Sequence, residues 1–221
     1  MKKWIALIGA LALLIVMDIY MSRGSIDDSS QTETQSPPVK QAPVDKDKAT
    51  MQPGRVVELI TTKGKITFIL LEKDCPKTTA RIASLVESGE YNDIMFPRVE
   101  DWIIQTASAK HDVPGIGIET KKGLTHATGA VGMARRGNDY NSNTSVFYIL
   151  KKPQFALDGK YTVFGRLISG MDVVLKITSN DYIISSKIHQ PSQLDTMAYF
   201  EALKSDLKTS KSNKNQEDRH L

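Results

Sequence analysis

The chain has 221 residues, a formal charge of +4 and a single cysteine, which fits one domain with appendages. The excess positive charge gathers at the ends, in Lys2, Lys3, Lys204, Lys208, Lys211, Lys214 and Arg219, so the middle is near neutral and argues against a nucleic-acid surface. Cys75 alone excludes an intrachain disulfide or a thiolate cluster, and His111, His126, His189 and His220 lack ligand spacing, so no metal and no cofactor is expected.

In chain order, Lys2-Lys3 precede the apolar run Trp4–Met17. That pattern predicts an N-terminal hydrophobic helix over residues 1–23, acting as a signal anchor or a signal peptide. The lysines favour an N-in orientation. The expected product is a single-pass membrane protein with an extracytoplasmic domain, or a secreted or periplasmic one after signal cleavage. Residues 24–53, rich in Ser, Thr, Gln, Pro, Asp and Lys, read as a disordered linker.

A folded domain is expected over 54–190. Arg55–Thr62 and Lys65–Leu71 are β-rich runs joined at Lys63-Gly64, a hairpin signal. Pro76–Ser88 switches to helical spacing, with Pro76 suited to the first turn and Gly89 to the C-terminal cap. Strands are predicted at Ile94–Val99, Trp102–Thr106, Gly129–Ala134, Val146–Leu150, Val163–Leu167 and Tyr182–Ile188, with a short helix over Gly170–Ile177. So many strands with few helices suggest a mainly β fold, a closed or nearly closed antiparallel barrel. Ser192–Leu207 reads as an amphipathic helix packed outside or as a frayed extension, within a helical extension and polar tail over 191–221.

Two stretches concentrate the chemistry. Phe96-Pro-Arg-Val-Glu-Asp-Trp-Ile-Ile-Gln105 sets Arg98 just before a bulky apolar strand, and Ser145-Val-Phe-Tyr-Ile149 with Leu157–Gly165 adds aromatic and aliphatic groups. Neither offers a nucleophile–base pair or metal ligands. Such an inventory suits chemistry in which no covalent bond breaks. Gly115-Ile-Gly-Ile-Glu119 lacks the Gly-Lys-Ser/Thr ending of a phosphate loop and reads as a plain loop.

Several ordered blocks together resemble the cyclophilin family of peptidyl-prolyl cis/trans isomerases, over about Val56 to Ile188. They are Glu58–Ile66, Asp74–Thr78, Gly129-Ala-Val-Gly-Met-Ala134, Asn141–Ile149, Leu157-Asp-Gly-Lys-Tyr-Thr-Val-Phe-Gly165 and Gly170–Val174. The resemblance, which includes bacterial members, implies an eight-stranded antiparallel barrel closed by two α-helices. It implies proline-containing polypeptides as partners, and a monomer is expected.

By block matching, the resemblance makes Arg98 the catalytic group and assigns substrate contacts to Trp102, Ile103, Gln105, Met133, Ala134, Arg135, Val146, Phe147, Tyr148, Leu157 and Tyr161. Departures from the family pattern are Pro97 for a histidine, a one-residue deletion before Trp102, Thr106-Ala107 for Gly-Gly, Arg135 for an asparagine and Val146 for a glutamine. The expected function is isomerisation of X-Pro bonds in exported proteins by arginine-assisted stabilisation of the twisted imide. The departures leave open a catalytically weak peptide-binding, chaperone or scaffold module. On its residues alone, Arg98 reads as a surface ion-pair partner of Glu100 or Asp101, and only the matched blocks turn it to catalysis; for Trp102 and Tyr148 the other reading is ordinary barrel core.

Overall fold

Residues 53–217 are described by a computed structural model. The expected hydrophobic helix and linker lie outside the described residues. Among these, no helix is long and apolar enough to cross a membrane. Among the described residues nine antiparallel strands form one curled sheet: β1 (Val56–Thr61), β2 (Gly64–Leu70), β3 (Ile94–Met95), β4 (Arg98–Val99), β5 (Ile103–Gln105), β6 (Ala130–Met133), β7 (Phe147–Leu150), β8 (Val163–Ser169) and β9 (Tyr182–His189). Their spatial order is β3-β9-β1-β2-β8-β6-β7-β5-β4.

The hydrogen-bonded ladder is open, which corrects the expected closed barrel of eight strands. The predicted strand Ile94–Val99 is broken in two, and its halves β3 and β4 lie at opposite edges of the sheet. Pro97, between them, has no N–H to offer a ladder. Phe96 is fully buried and its N–H bonds to the Asp181 carbonyl at 3.2 Å, on the β9 side. One short stretch thus carries both edges, and the Ala107 N–H to the Met95 carbonyl, 2.9 Å, ties the exit of β5 to β3.

The β1–β2 turn also falls one residue earlier than predicted. Thr61 pairs with Gly64 around Thr62-Lys63, and Gly64 sits at φ 131, where L side chains are strained. Alternation along the strands then sends Val57, Leu59, Ile66, Phe68, Ile104, Val131, Ile149 and Phe164 to one core. Rings of Phe68, Phe147, Phe164 and Tyr91 meet there at centroid distances of 5.2–6.4 Å. The opposite face carries a smaller cluster of Ile103, Ala130, Tyr148, Leu150 and Val163.

Helix α1 (Pro76–Glu87) adds Ile82, Ala83, Leu85 and Val86 to the core. Its first turn has no side-chain cap of its own. Glu119, from the loop after Gly115, accepts from the Lys77 and Thr78 N–H groups at 3.0 and 2.7 Å, so the glycine-bearing loop serves a helix end. At the other end Glu90 N–H bonds the Leu85 carbonyl and Gly89 N–H the Val86 carbonyl, with Gly89 at φ 71, a left-handed cap. Burial pushes the neighbouring Cys75 thiol up to about 12, as expected of a structural cysteine.

Helix α2 (Met171–Lys176) buries Val173 and Val174. A third helix, α3 (Gln193–Glu217), runs well past the predicted Leu207. It lies on β8, where Asp206 pairs with the buried Arg166 at 2.5 Å beside a cavity of about 240 Å³ lined by Leu71, Leu124, Tyr199 and Leu203. Replacing Asp206 by alanine leaves that guanidinium without its counter-charge, so urea unfolding should show a loss of about 3 kcal/mol.

Asp181, before β9, accepts from the Thr62 hydroxyl (2.6 Å) and from the Thr178 N–H and hydroxyl (2.8 and 2.7 Å), with the Lys63 ammonium 3.5 Å away. Burial alone would raise this carboxyl, but the Thr62 and Thr178 hydrogen bonds outweigh it and hold the pKa at about 2. An unfolded aspartate titrates near about 3.9. The contribution to stability is therefore complete above that value and is lost as pH falls through about 2. Denaturation midpoints measured from pH 5 downward should fall less steeply for Asp181→Asn than for the wild type.

Candidate active site

Register places the decisive residues in one row. Arg98 on β4 faces Gln105 on β5, Gln105 faces Tyr148 on β7, and Tyr148 faces Gly132 on β6. Because directly opposed residues share a face, this row lies on the face away from the main core. Arg98, its side chain 43% exposed, donates from Nε to Glu100 Oε1 (2.7 Å) and from Nη1 to Gln105 Oε1 (3.4 Å). Its guanidinium carbon lies 5.1 Å from the Trp102 ring centroid, over the ring. The guanidinium's hydrogen bond holds the Glu100 carboxyl below the usual range. Arg98 is thus ion-paired to Glu100, as its residues alone suggest, and it also borders an apolar wall.

That wall is Ile103 and Tyr148, with half-buried Trp102 and Ala134 packed against them. Tyr148 is only 3% exposed. A side chain at Gly132 would run into the Tyr148 ring, so the ring crosses β6 only because glycine stands there. Its hydroxyl reaches the fully buried His126, at 2.9 Å from Nε2, and His126 Nδ1 lies 2.7 Å from Asp158 Oδ1. The same carboxylate oxygen accepts the His126 backbone N–H at 2.7 Å. The hydroxyl expected on the pocket floor is therefore engaged inside the protein.

Met133 and Phe147, both expected to touch substrate, belong to the main core instead, at 0% and 1% exposure. They face each other across β6 and β7, one position out of phase with the Gly132–Tyr148 pair, and period-two alternation turns them inward. Leu157 ends a short 3-10 turn (Phe155–Leu157), and Tyr161, half-buried, donates its N–H to the Leu157 carbonyl at 3.2 Å.

Arg135 is held by several contacts. Its guanidinium lies 4.3 Å from both the Tyr140 and the Tyr161 ring centroids, and it donates to the Lys160 carbonyl (3.1 Å) and to that of Gly137. Gln105, Ala134, Arg135 and Val146 line one cavity of about 630 Å³, which Val113 and Pro114 also border. Sequence reasoning passed over His126, Asp158, Tyr140 and Gly132. Their signal was register: a glycine opposite a tyrosine leaves room for a ring, and a ring that crosses needs a partner for its hydroxyl. Among the described residues no cluster of His, Cys, Asp or Glu could hold a metal ion.

The family model described as cyclophilin type peptidyl-prolyl cis-trans isomerase matches residues 56–198. A peptidyl-prolyl cis-trans isomerase of Arabidopsis thaliana is 35% identical over 133 residues, covering 56% of this chain and 80% of that protein. One from Caenorhabditis elegans is 36% identical over 131 residues, covering 55% and 80%. Among solved structures, a cyclophilin type isomerase of Cryptosporidium parvum superposes with a TM-score of 0.57 at 26% identity, covering 62% of this chain and 99% of that one. The same protein crystallised in the presence of the dipeptide Ala-Pro gives 0.56 at 25% identity, covering 63% and 100%. A match that takes in both the Arg98 edge and the Tyr148 wall, with relatives aligned over four fifths of their length, makes this chain a member of the cyclophilin-type peptidyl-prolyl cis-trans isomerase family.

Proposed function

We propose that this chain isomerises X-Pro bonds in exported polypeptides and that Arg98 is its catalytic residue. The observation that carries the reading is a guanidinium at the rim of an apolar wall, over Trp102 and hydrogen-bonded to Gln105. The peptide C–N bond resists rotation by roughly 18–20 kcal/mol because of its partial double-bond character. Midway through the turn conjugation is lost and the prolyl nitrogen acquires a localised lone pair. A donor aimed at that nitrogen binds the twisted state better than either planar isomer, which lowers the barrier.

Arginine fits this task because it stays charged and presents its donors in a rigid fork. Gln105 Oε1, 3.4 Å from Nη1, lies beside that fork. Trp102, Ile103 and Tyr148 would hold the pyrrolidine ring with Leu157 and Tyr161, while Gln105 and the cavity beside Ala134, Arg135 and Val146 receive the flanking chain. The apolar wall keeps water from competing for the donors. The dipeptide used with the Cryptosporidium relative ends in proline, in keeping with this reading. Lys2-Lys3 and the apolar run Trp4–Met17 support action outside the cytoplasm, on an anchor or after cleavage.

One observation favours a second reading, a binding module with weak catalysis. Glu100 engages Nε of the same guanidinium at 2.7 Å and competes with any developing lone pair. Isomer exchange in a proline peptide, measured by NMR, separates the two readings. Arg98→Ala should lower kcat by about tenfold or more, and undiminished exchange would remove Arg98 from the mechanism. Glu100→Gln should raise kcat by about two- to fivefold, because it relieves an exposed ion pair of modest strength. A kcat unmoved by that change would show that Glu100 does not restrain the arginine.

A further inference from the structure

The buried chain behind Tyr148 has a use that packing does not explain. Burying an imidazole and a phenol hydroxyl carries a desolvation cost that an apolar pair of the same shape avoids. What the polar pair adds is direction. Asp158, a carboxylate, only accepts, so His126 Nδ1 carries the proton and donates to it. Nε2 is then left as an acceptor, and the Tyr148 hydroxyl donates to it. Burial, only partly offset by Asp158, lowers the His126 pKa, and burial raises that of Tyr148, so both groups keep these roles at neutral pH.

The two ends of this chain lie on segments that the reading above assigns to the proline pocket. Tyr148 is the β7 wall, and Asp158 directly follows Leu157 in the turn that leads to Tyr161. We propose that His126, held by Asp158, is a positioning residue for proline binding, fixing the Tyr148 wall against the Leu157 turn. This inference rests on the proline-pocket reading above but is separable from it. A pocket wall grips the pyrrolidine ring in planar and twisted states alike, so loosening it weakens binding and leaves the barrier unchanged. Arg98 acts on the barrier.

The test uses the full chain and a proline-containing tetrapeptide followed by NMR exchange, giving KM and kcat, with a thermal melt alongside. Tyr148→Phe keeps the ring and removes only the hydroxyl, so it stays informative even if His126→Leu fails to fold. Each variant should raise KM by about fivefold, with kcat within about twofold of wild type, as for one lost hydrogen bond. The double variant should be no worse than the poorer single, since both break the same link. His126→Gln, which returns an acceptor to the hydroxyl, should recover most of the loss. Folded variants with lower Tm and unmoved KM overturn the proposal, as does additivity in the double. A wild type that neither binds nor isomerises the peptide sinks the isomerase reading and this one together. An active wild type with unmoved variants sinks only this one.

Discussion

The Phe147 ring, wedged among Phe68, Tyr91 and Phe164, settles the geometry on which the site depends. Side chains on a strand alternate between faces, so fixing Phe147 inward fixes Tyr148 outward. A slip of one residue would put the tyrosine hydroxyl into an aromatic core and strand Phe147 outside. Tyr91 adds a second lock, because its buried hydroxyl donates to the Ser145 carbonyl at 2.6 Å, two residues before Phe147. From there register carries the order sideways, through Gln105 to Arg98 in one direction and to Gly132 in the other.

The block pattern gave the family and most strand positions within a residue or two. It failed in two ways. Matching residues by block says that Ser145–Ile149 borders a pocket, but it does not say which members turn towards it, so Phe147 was grouped with Tyr148 and Met133 with Ala134. Parity along the strand separates them. Pro97 was visible as a departure, yet its effect on the ladder depends on where neighbouring strands present their donors and acceptors. Likewise, nothing local marks His126 as the partner of a tyrosine twenty-two residues on and an aspartate thirty-two residues on.

The electrostatics of the site are divided by depth. Arg98 and Glu100 are well exposed, at 43% and 45%, so their attraction is screened by water and salt and the pair can open for a ligand. Arg135 is held differently, with its guanidinium 4.3 Å from each of two phenol rings. His126, by contrast, is out of water altogether, where a hydrogen bond is stronger and a missing one more costly. The exposed charge sits where chemistry would occur, and the buried dipoles sit behind it.

The match to the family model stops at residue 198, inside helix α3, yet Leu203 and Asp206 lie beyond it on the surface of β8. The homologous border is therefore not a physical one. A recombinant piece trimmed to the aligned region would strip the lid from an oily crevice and abandon an arginine whose Nε already finds no acceptor. A form of this protein meant to keep its full stability has to carry the helix past Asp206.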